Sequence, residues 1–149
     1  MRDVAEDADF EARSVNRSVQ VVSSENCSIN GVEELLRSAV ENVVRNAVHY
    51  TPEGTAVEVA LQRQNGHAVI SVRDRGKGVP EESLEKIFRP FYRTEDARDR
   101  QSGGGTGLGL AITERAVRMH GGSVQAANSI DGGLSVEMRF RHDSQDSHD

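Results

Sequence analysis

A chain of 149 residues has room for one domain and too little for two ordinary ones. Hydrophobic residues make up 36% and charged residues 28%, enough apolar material for a core and an argument against disorder throughout. With 18 Lys and Arg against 24 Asp and Glu the net charge is −6, a poor match for a phosphate backbone, so nucleic acid is not an expected partner.

Residues 2–12 permit a helix and carry five acids against one arginine. Residues 18–23 are rich in β-branched side chains and read as a strand. Asn30 followed by Glu33 has the form of a capping box, and a helix is expected from about Val32 to Tyr50. Thr51, Pro52, Glu53 and Gly54 stop it. Val57, Val59 and Leu61 alternate with polar residues as on a half-buried strand, and the turn Asn65-Gly66 leads into a second strand, Ala68 to Asp74. Arg75 to Pro80 is a loop, and Pro80 can open a short helix over Glu81–Phe88. Residues 89–106 show no period and include Gly103, Gly104 and Gly105; a loop of that length in a small domain is usually a lid, a binding loop or disorder.

A helix is expected again at Leu108–His120, ended by Gly121 and Gly122, with strands near Ser123–Asn128 and Leu134–Phe140. The polar end, 142–149, reads as a frayed tail, with His142 and His148 in solvent rather than on a metal. The expected fold class is α/β (α+β): a two-layer sandwich, with a mixed sheet covered on one face by helices. Cys27 is the sole cysteine, so no internal disulfide framework is possible. No apolar run approaches the ~20 residues of a membrane helix, and the acidic start, Met1 to Asp7, has no signal-peptide core. The chain reads as a soluble domain of a reducing compartment.

Three groups of residues could carry chemistry. On the long helix, Leu36, Val40, Val43, Val44 and Ala47 share one arc, while Asn42, Asn46, His49 and Tyr50 share another. Amides four residues apart project side by side, and a carboxamide oxygen suits Mg²⁺ when phosphates supply the negative charge. An ordinary wet helix face looks the same. Asp74 falls at the carboxyl end of a strand, a usual place for ligand contacts, and Gly76 and Gly78 would let backbone approach a flat ring. A solvated Asp in a turn fits the same letters. The glycine-rich stretch Gly103 to Gly109 opens a helix and offers unpaired N–H groups to an anion, though neither GxxxxGK[ST] nor GxGxxG is present. A plain linker would not need the packing residues Leu108, Leu110, Ala111 and Ile112 that follow.

Taken in order, Asn42 and Asn46 on a helix, Asp74-Arg75-Gly76-Lys77-Gly78 after a hairpin, Phe88 to Arg93, and Gly105 to Leu110 form a series. This series resembles the N, G1, F and G2 boxes of the ATP-binding catalytic domain of bacterial two-component sensor histidine kinases (the GHKL or HATPase group). The likeness spans roughly residues 2–141, with 89–106 as the ATP lid. The segments Glu41–Tyr50, Phe88–Arg93 and Glu95–Arg100 are most similar to an envelope-stress branch of those kinases. The resemblance implies a Bergerat-type sandwich with ATP between the long helix and the lid. It implies Mg²⁺ on Asn46 with Asn42 in support, the adenine amine on Asp74, Tyr50 beside the base, and Gly76, Gly78 and Val79 along the adenine wall. Arg45, His49, Arg93, Thr94, Gly105, Thr106, Gly107, Leu108, Gly109 and Leu110 would then serve the nucleotide's phosphates and their surroundings. Phe88 and Phe91 would anchor the lid in apolar surface.

Three positions depart from that pattern: His49 stands where the family usually has Lys or Arg, and Arg75 and Lys77 stand where smaller or polar residues are common. A neutral imidazole is a weaker phosphate partner than an ammonium group. Related ATPases carry a general-base Glu where this chain has Asn42, and an amide cannot take that proton, so the resemblance favours phosphotransfer over hydrolysis. None of His49, His67, His120, His142 and His148 has the family's phosphoacceptor context. The expected partners are therefore a separate dimerisation and histidine phosphoacceptor domain and, indirectly, a response regulator. The chain alone would be monomeric, its parent a homodimer at the inner membrane with this domain in the cytoplasm. A free-standing anti-sigma-factor serine kinase and a non-catalytic nucleotide-binding regulator are the alternatives.

Overall fold

The computed structural model describes residues 2–92 and 109–141. Among these, helices α1 (Arg2–Arg13), α2 (Glu33–Tyr50) and α3 (Gly109–Met119) accompany strands β1 (Ser18–Ser24), β2 (Ala56–Gln64), β3 (His67–Arg73), β4 (Ser123–Asn128) and β5 (Leu134–Arg141). The strands form one sheet in the order β1-β2-β3-β5-β4, with β1 parallel to β2 and the remaining pairs antiparallel. The expected mixed sheet is present, with helices on one face. The period-2 pattern explains which face: Val57, Val59, Ile70, Val72, Val136, Met138 and Phe140 point at the helices and are buried. Helix α2 meets them with Val40, Val43, Val44 and Ala47, the arc expected from helical spacing. Each buried valine of this interface contributes about 1.5–3 kcal/mol relative to an exposed one.

Local chemistry accounts for the turns. Asn65 and Gly66 have φ of 51° and 80°, both positive, as a two-residue type I′ hairpin between β2 and β3 requires. The end of α2 is organised by Thr51, whose N–H caps Ala47 O at 2.9 Å. Its carbonyl accepts Arg17 Nε at 2.6 Å, and its hydroxyl accepts the Arg75 N–H at 3.1 Å. Thr51 is fully buried because every polar atom there has a partner. Helix α1 is tied in by Asp9, which accepts the Val19 N–H at 2.8 Å and pairs with Arg13 at 2.9 Å.

Three local expectations are corrected. The long helix starts at Glu33 with Val32 as N-cap, and no side chain of its own segment caps it, so Asn30 and Glu33 form no capping box. The His120 ring takes that place: Nε2 accepts the Val32 N–H at 3.0 Å while Nδ1 donates to Ala116 O at 2.7 Å. Gly31 leaves the ring its space, since a Cβ there would lie 2.2 Å from His120 Cδ2. Second, Glu81–Phe88 is not one helix but two 3-10 turns, Glu81–Ser83 and Lys86–Phe88, with Ile87 and Phe88 drawn into the core. Burial of those two side chains outweighs the local helical preference. Third, Phe91 does not anchor against apolar surface as Phe88 does; it is 68% exposed, with φ of 64°.

Candidate functional site

Strand β3 delivers Asp74 to the buried end of the sheet, where the residue is only 3% exposed. A buried carboxylate needs donors. Two main-chain groups supply them, the Gly76 N–H at 2.8 Å and the Leu134 N–H at 3.1 Å. Among the described residues both bonds end on Oδ1, so Oδ2 has the capacity to accept a further hydrogen. Burial pushes the Asp74 carboxyl above the usual carboxylate range; the two N–H groups and the Arg73 charge oppose that rise without cancelling it. The Asp74 N–H in turn donates to Leu134 O at 3.0 Å, which continues the β3–β5 ladder one step past the strand.

The loop that follows is tightly enclosed. A Cβ on Gly76 would meet Tyr50 O at 2.7 Å, so this glycine lets the loop lie against the end of α2. Gly78 has φ of +77°, and a Cβ there would stand 2.3 Å from Asn128 Oδ1. Gly133, at φ +93°, passes the Asp74 carbonyl so closely that a Cβ would be 2.0 Å from its oxygen. Neither position can take another residue without strain and collision. Arg75 leaves the loop on the far side and pairs with Glu58 at 3.0 Å.

Along α2, Asn42, Asn46 and Tyr50 are half-buried and share a face, as helical spacing requires. Helix α3 packs closely alongside: a Cβ on Gly109 would lie 3.8 Å from Asn42 Cβ, and Leu110 is buried in the core. The register of the two helices is held by Thr113, fully buried, whose hydroxyl donates to Ala39 O at 2.9 Å, and by the His120 contact with Val32. The structure therefore sets Asn42 beside Gly109 at the start of α3 and Tyr50 beside Gly76 and Asp74 at the end of β3, with Asn46 between them on the same face of α2. Val79 joins them through the loop.

Arg45 is placed differently. It is exposed and, with His49, Glu41 and Val48, lines a groove of about 300 Å³ between α2 and α1, opposite Asp7, Ala8 and Glu11. His49 lies at the edge between the two faces, its ring edge-on to Tyr50 with centroids 4.8 Å apart. Arg93, Thr94, Gly105, Thr106, Gly107 and Leu108 lie outside the described residues, as do most of the expected lid and the expected tail. Asn128, Gly133 and Leu134 escaped the sequence reading because their role depends on contacts made 49–60 residues away. The paired glycines Gly132 and Gly133 before a strand were the available signal.

Comparison with known proteins agrees with this fold. Residues 31–144 match the family described as histidine kinase-, DNA gyrase B-, and HSP90-like ATPase. Over 135 residues the chain is 46% identical to the sensor histidine kinase CpxA of Escherichia coli K12, covering 90% of this chain and 29% of that protein. It is 35% identical over 139 residues to the sensor protein kinase PmrB of Pseudomonas aeruginosa, covering 91% of this chain and 28% of that one. The chain thus spans about three-tenths of the curated relatives it matches. Among solved structures, the mycobacterial sensor histidine kinase MprB superposes with a TM-score of 0.78 at 28% identity, covering 95% of this chain and 94% of that one. Full-length ShkA, solved in complex with AMPPNP, gives 0.80 at 28% identity over 95% of this chain and 29% of that one. The sheet order, the paired asparagines of α2 and the buried carboxylate at the end of β3 are thus features of a chain that belongs to the histidine kinase-, DNA gyrase B- and HSP90-like ATPase family, in its histidine kinase catalytic branch.

Proposed function

We propose that this domain binds Mg-ATP and donates the γ-phosphate to a histidine on a separate dimerisation and phosphoacceptor domain, from which a response regulator is served. The reading is carried by one observation above all. Asp74 is a buried carboxylate whose Oδ1 is held by two main-chain N–H groups, leaving Oδ2 to accept an exocyclic amine. That arrangement suits adenine and rejects a base with a carbonyl at the same position, where two acceptors would face each other. The loop glycines let the chain beside that carboxylate pack tightly on Tyr50 O and Asn128 Oδ1, which gives the site a fixed wall.

The other end of the site suits the phosphates. Asn42 and Asn46 present neutral oxygens from one helix face, the donor type that Mg²⁺ accepts when phosphates carry the charge. Mg²⁺, when bound, offsets phosphate charge and orients the terminal phosphoryl group. Asn46 would hold the ion and Asn42 would fix the position of Asn46. Because residue 42 is an amide, nothing there activates water, which keeps the phosphoryl group for its acceptor. Arg93, Thr94 and Gly105 to Leu110 complete the phosphate contacts in this reading. The parent protein is a homodimeric sensor with this domain on the cytoplasmic side of the membrane; among the described residues no helix is long and apolar enough to cross one.

The test is calorimetric titration with a non-hydrolysable ATP analogue, with and without Mg²⁺, on the wild type and on Asn46→Ala and Asp74→Asn. Mg²⁺-dependent binding that collapses in both variants is the expected result. A folded wild type that binds nothing would overturn the reading.

A further inference from the structure

The loop from Asp74 to Val79 is held at both ends by one cross-strand pair. Asn128 closes β4 and Leu134 opens β5, and the two are register partners. Leu134 grips the near end of the loop with its main chain: it accepts the Asp74 N–H at 3.0 Å and donates to Asp74 Oδ1 at 3.1 Å. Asn128 grips the far end with its side chain. Its Oδ1 accepts the Val79 N–H at 2.9 Å, and its Nδ2 donates to Val79 O at 2.7 Å. A carboxamide used in this way imitates a neighbouring strand, since it offers one acceptor and one donor to the two main-chain groups of a single residue. The turn between the partners is itself closed, with the Ser129 N–H on Gly133 O at 2.9 Å and the Gly132 N–H on Ser129 O at 3.0 Å.

The fit is specific to this amide. Gly78 packs directly on Asn128 Oδ1, closer than any Cβ would allow, so the glycine and the asparagine define one shape between them. Asn128 as a whole is exposed, so neither its hydrogen bonds nor its position follows from core packing. Gly78 and Val79 lie on the loop that begins at the carboxylate read above as the base acceptor, and Gly78 neighbours Gly133, which itself presses on the Asp74 carbonyl.

We infer that Asn128 is a positioning residue that determines base specificity: by holding both main-chain groups of Val79 it sets the distance between the loop wall and the Oδ2 of Asp74. The inference rests on the nucleotide reading of this site. Asn128 touches no substrate and acts through the loop. Without the clamp, Gly76 to Val79 would sample other conformations, adenine would lose its close wall, and discrimination against guanine would fall along with affinity.

The experiment compares binding of Mg-ATP and Mg-GTP analogues to the wild type, Asn128→Ala and Asn128→Asp, together with amide hydrogen exchange at Val79 in the nucleotide-free chain. Asn128→Asp has the same shape and keeps an acceptor for the Val79 N–H but loses the donor to Val79 O; it carries the test if the alanine variant fails to fold. Gln125→Ala, on the same strand and directed away from the loop, is the control. In Asn128→Ala, ATP affinity should fall roughly ten-fold and the preference for ATP over GTP should shrink by about five-fold, the scale of losing two modest hydrogen bonds. Val79 exchange should accelerate, and Gln125→Ala should leave all three readings unchanged. An equal loss for both nucleotides would show a merely structural role and overturn the inference, as would an unchanged ratio with Val79 still protected. A wild type that binds neither nucleotide would instead overturn the nucleotide reading, while Val79 exchange would still report whether the clamp exists.

Discussion

The two ends of the site are built by different means. The Asp74 end is assembled from main-chain donors, one from the adjoining loop and one 60 residues away, around a carboxylate that is almost wholly buried. The Asn42 and Asn46 end is a helix face, half-buried, whose geometry depends on how α2 is seated against the sheet and α3. The first has a fixed shape before any ligand arrives, as the proposed base discrimination requires. The second presents side chains with rotamer freedom, which suits an ion and phosphates that bring their own geometry.

Substitution of Gly133 by Ala should separate the two ends most sharply. The new Cβ would fall on the Asp74 carbonyl at a positive φ, costing about 3 kcal/mol or more of stability. A thermal melt should show a large drop in Tm; an unchanged Tm would mean that the hairpin does not press on the loop. Asp74→Asn should leave the fold intact, because an amide oxygen still accepts from Gly76 and Leu134. It should weaken ATP binding roughly 100-fold, the scale of one charge-assisted hydrogen bond replaced by opposed donors.

The same residue makes the apo protein pH-sensitive. Burial raises the Asp74 carboxyl, so the folded chain holds that proton to higher pH than the unfolded chain does. Its contribution to stability is present at acid pH and is lost as pH rises through the raised value. ATP affinity should run the other way and decline on acidification, because the proposed function makes the carboxylate the acceptor. Melting curves and titrations across pH should show both trends in the wild type and neither, from this group, in Asp74→Asn.

Smaller effects test the helical end. Thr113→Val keeps shape and deletes the hydroxyl that bonds Ala39 O, so urea denaturation should show a loss of about 1 kcal/mol. The binding ratio between ATP and GTP should not move. His49→Lys should tighten ATP binding a few-fold near pH 8, because an ammonium group brings a full positive charge at that pH. Unchanged affinity would show that position 49 makes no phosphate contact.

Legibility in the sequence follows the same division. The asparagine spacing on α2, its apolar arc, the Asn65-Gly66 turn and an acid at a strand end are local patterns, and the structure contains each of them where periodicity and turn chemistry put them. The parts that were not legible are non-local. The cap of α2 comes from His120 rather than Asn30, and a ring from another helix cannot be seen in the residues around Val32. The Glu81–Phe88 segment reads as helix by composition, but Ile87 and Phe88 are pulled inward and break it into two short turns. Asn128 looks like an ordinary strand-end residue until its two bonds to Val79 are seen.

The placement of Leu134 has a consequence for the order in which this molecule can become functional. Its N–H is one of the two donors to Asp74, and the two residues are 60 positions apart. A chain elongating from its amino terminus exposes the completed α2, β2 and β3 well before that donor has been made. Until β5 joins β3, the carboxylate remains in water and the loop has neither of its holders. Closing that segment costs chain entropy that its contacts must offset. The end proposed to bind the base is thus incomplete until β5 docks on β3, and a nucleotide that requires it cannot act as a template for the steps before that docking.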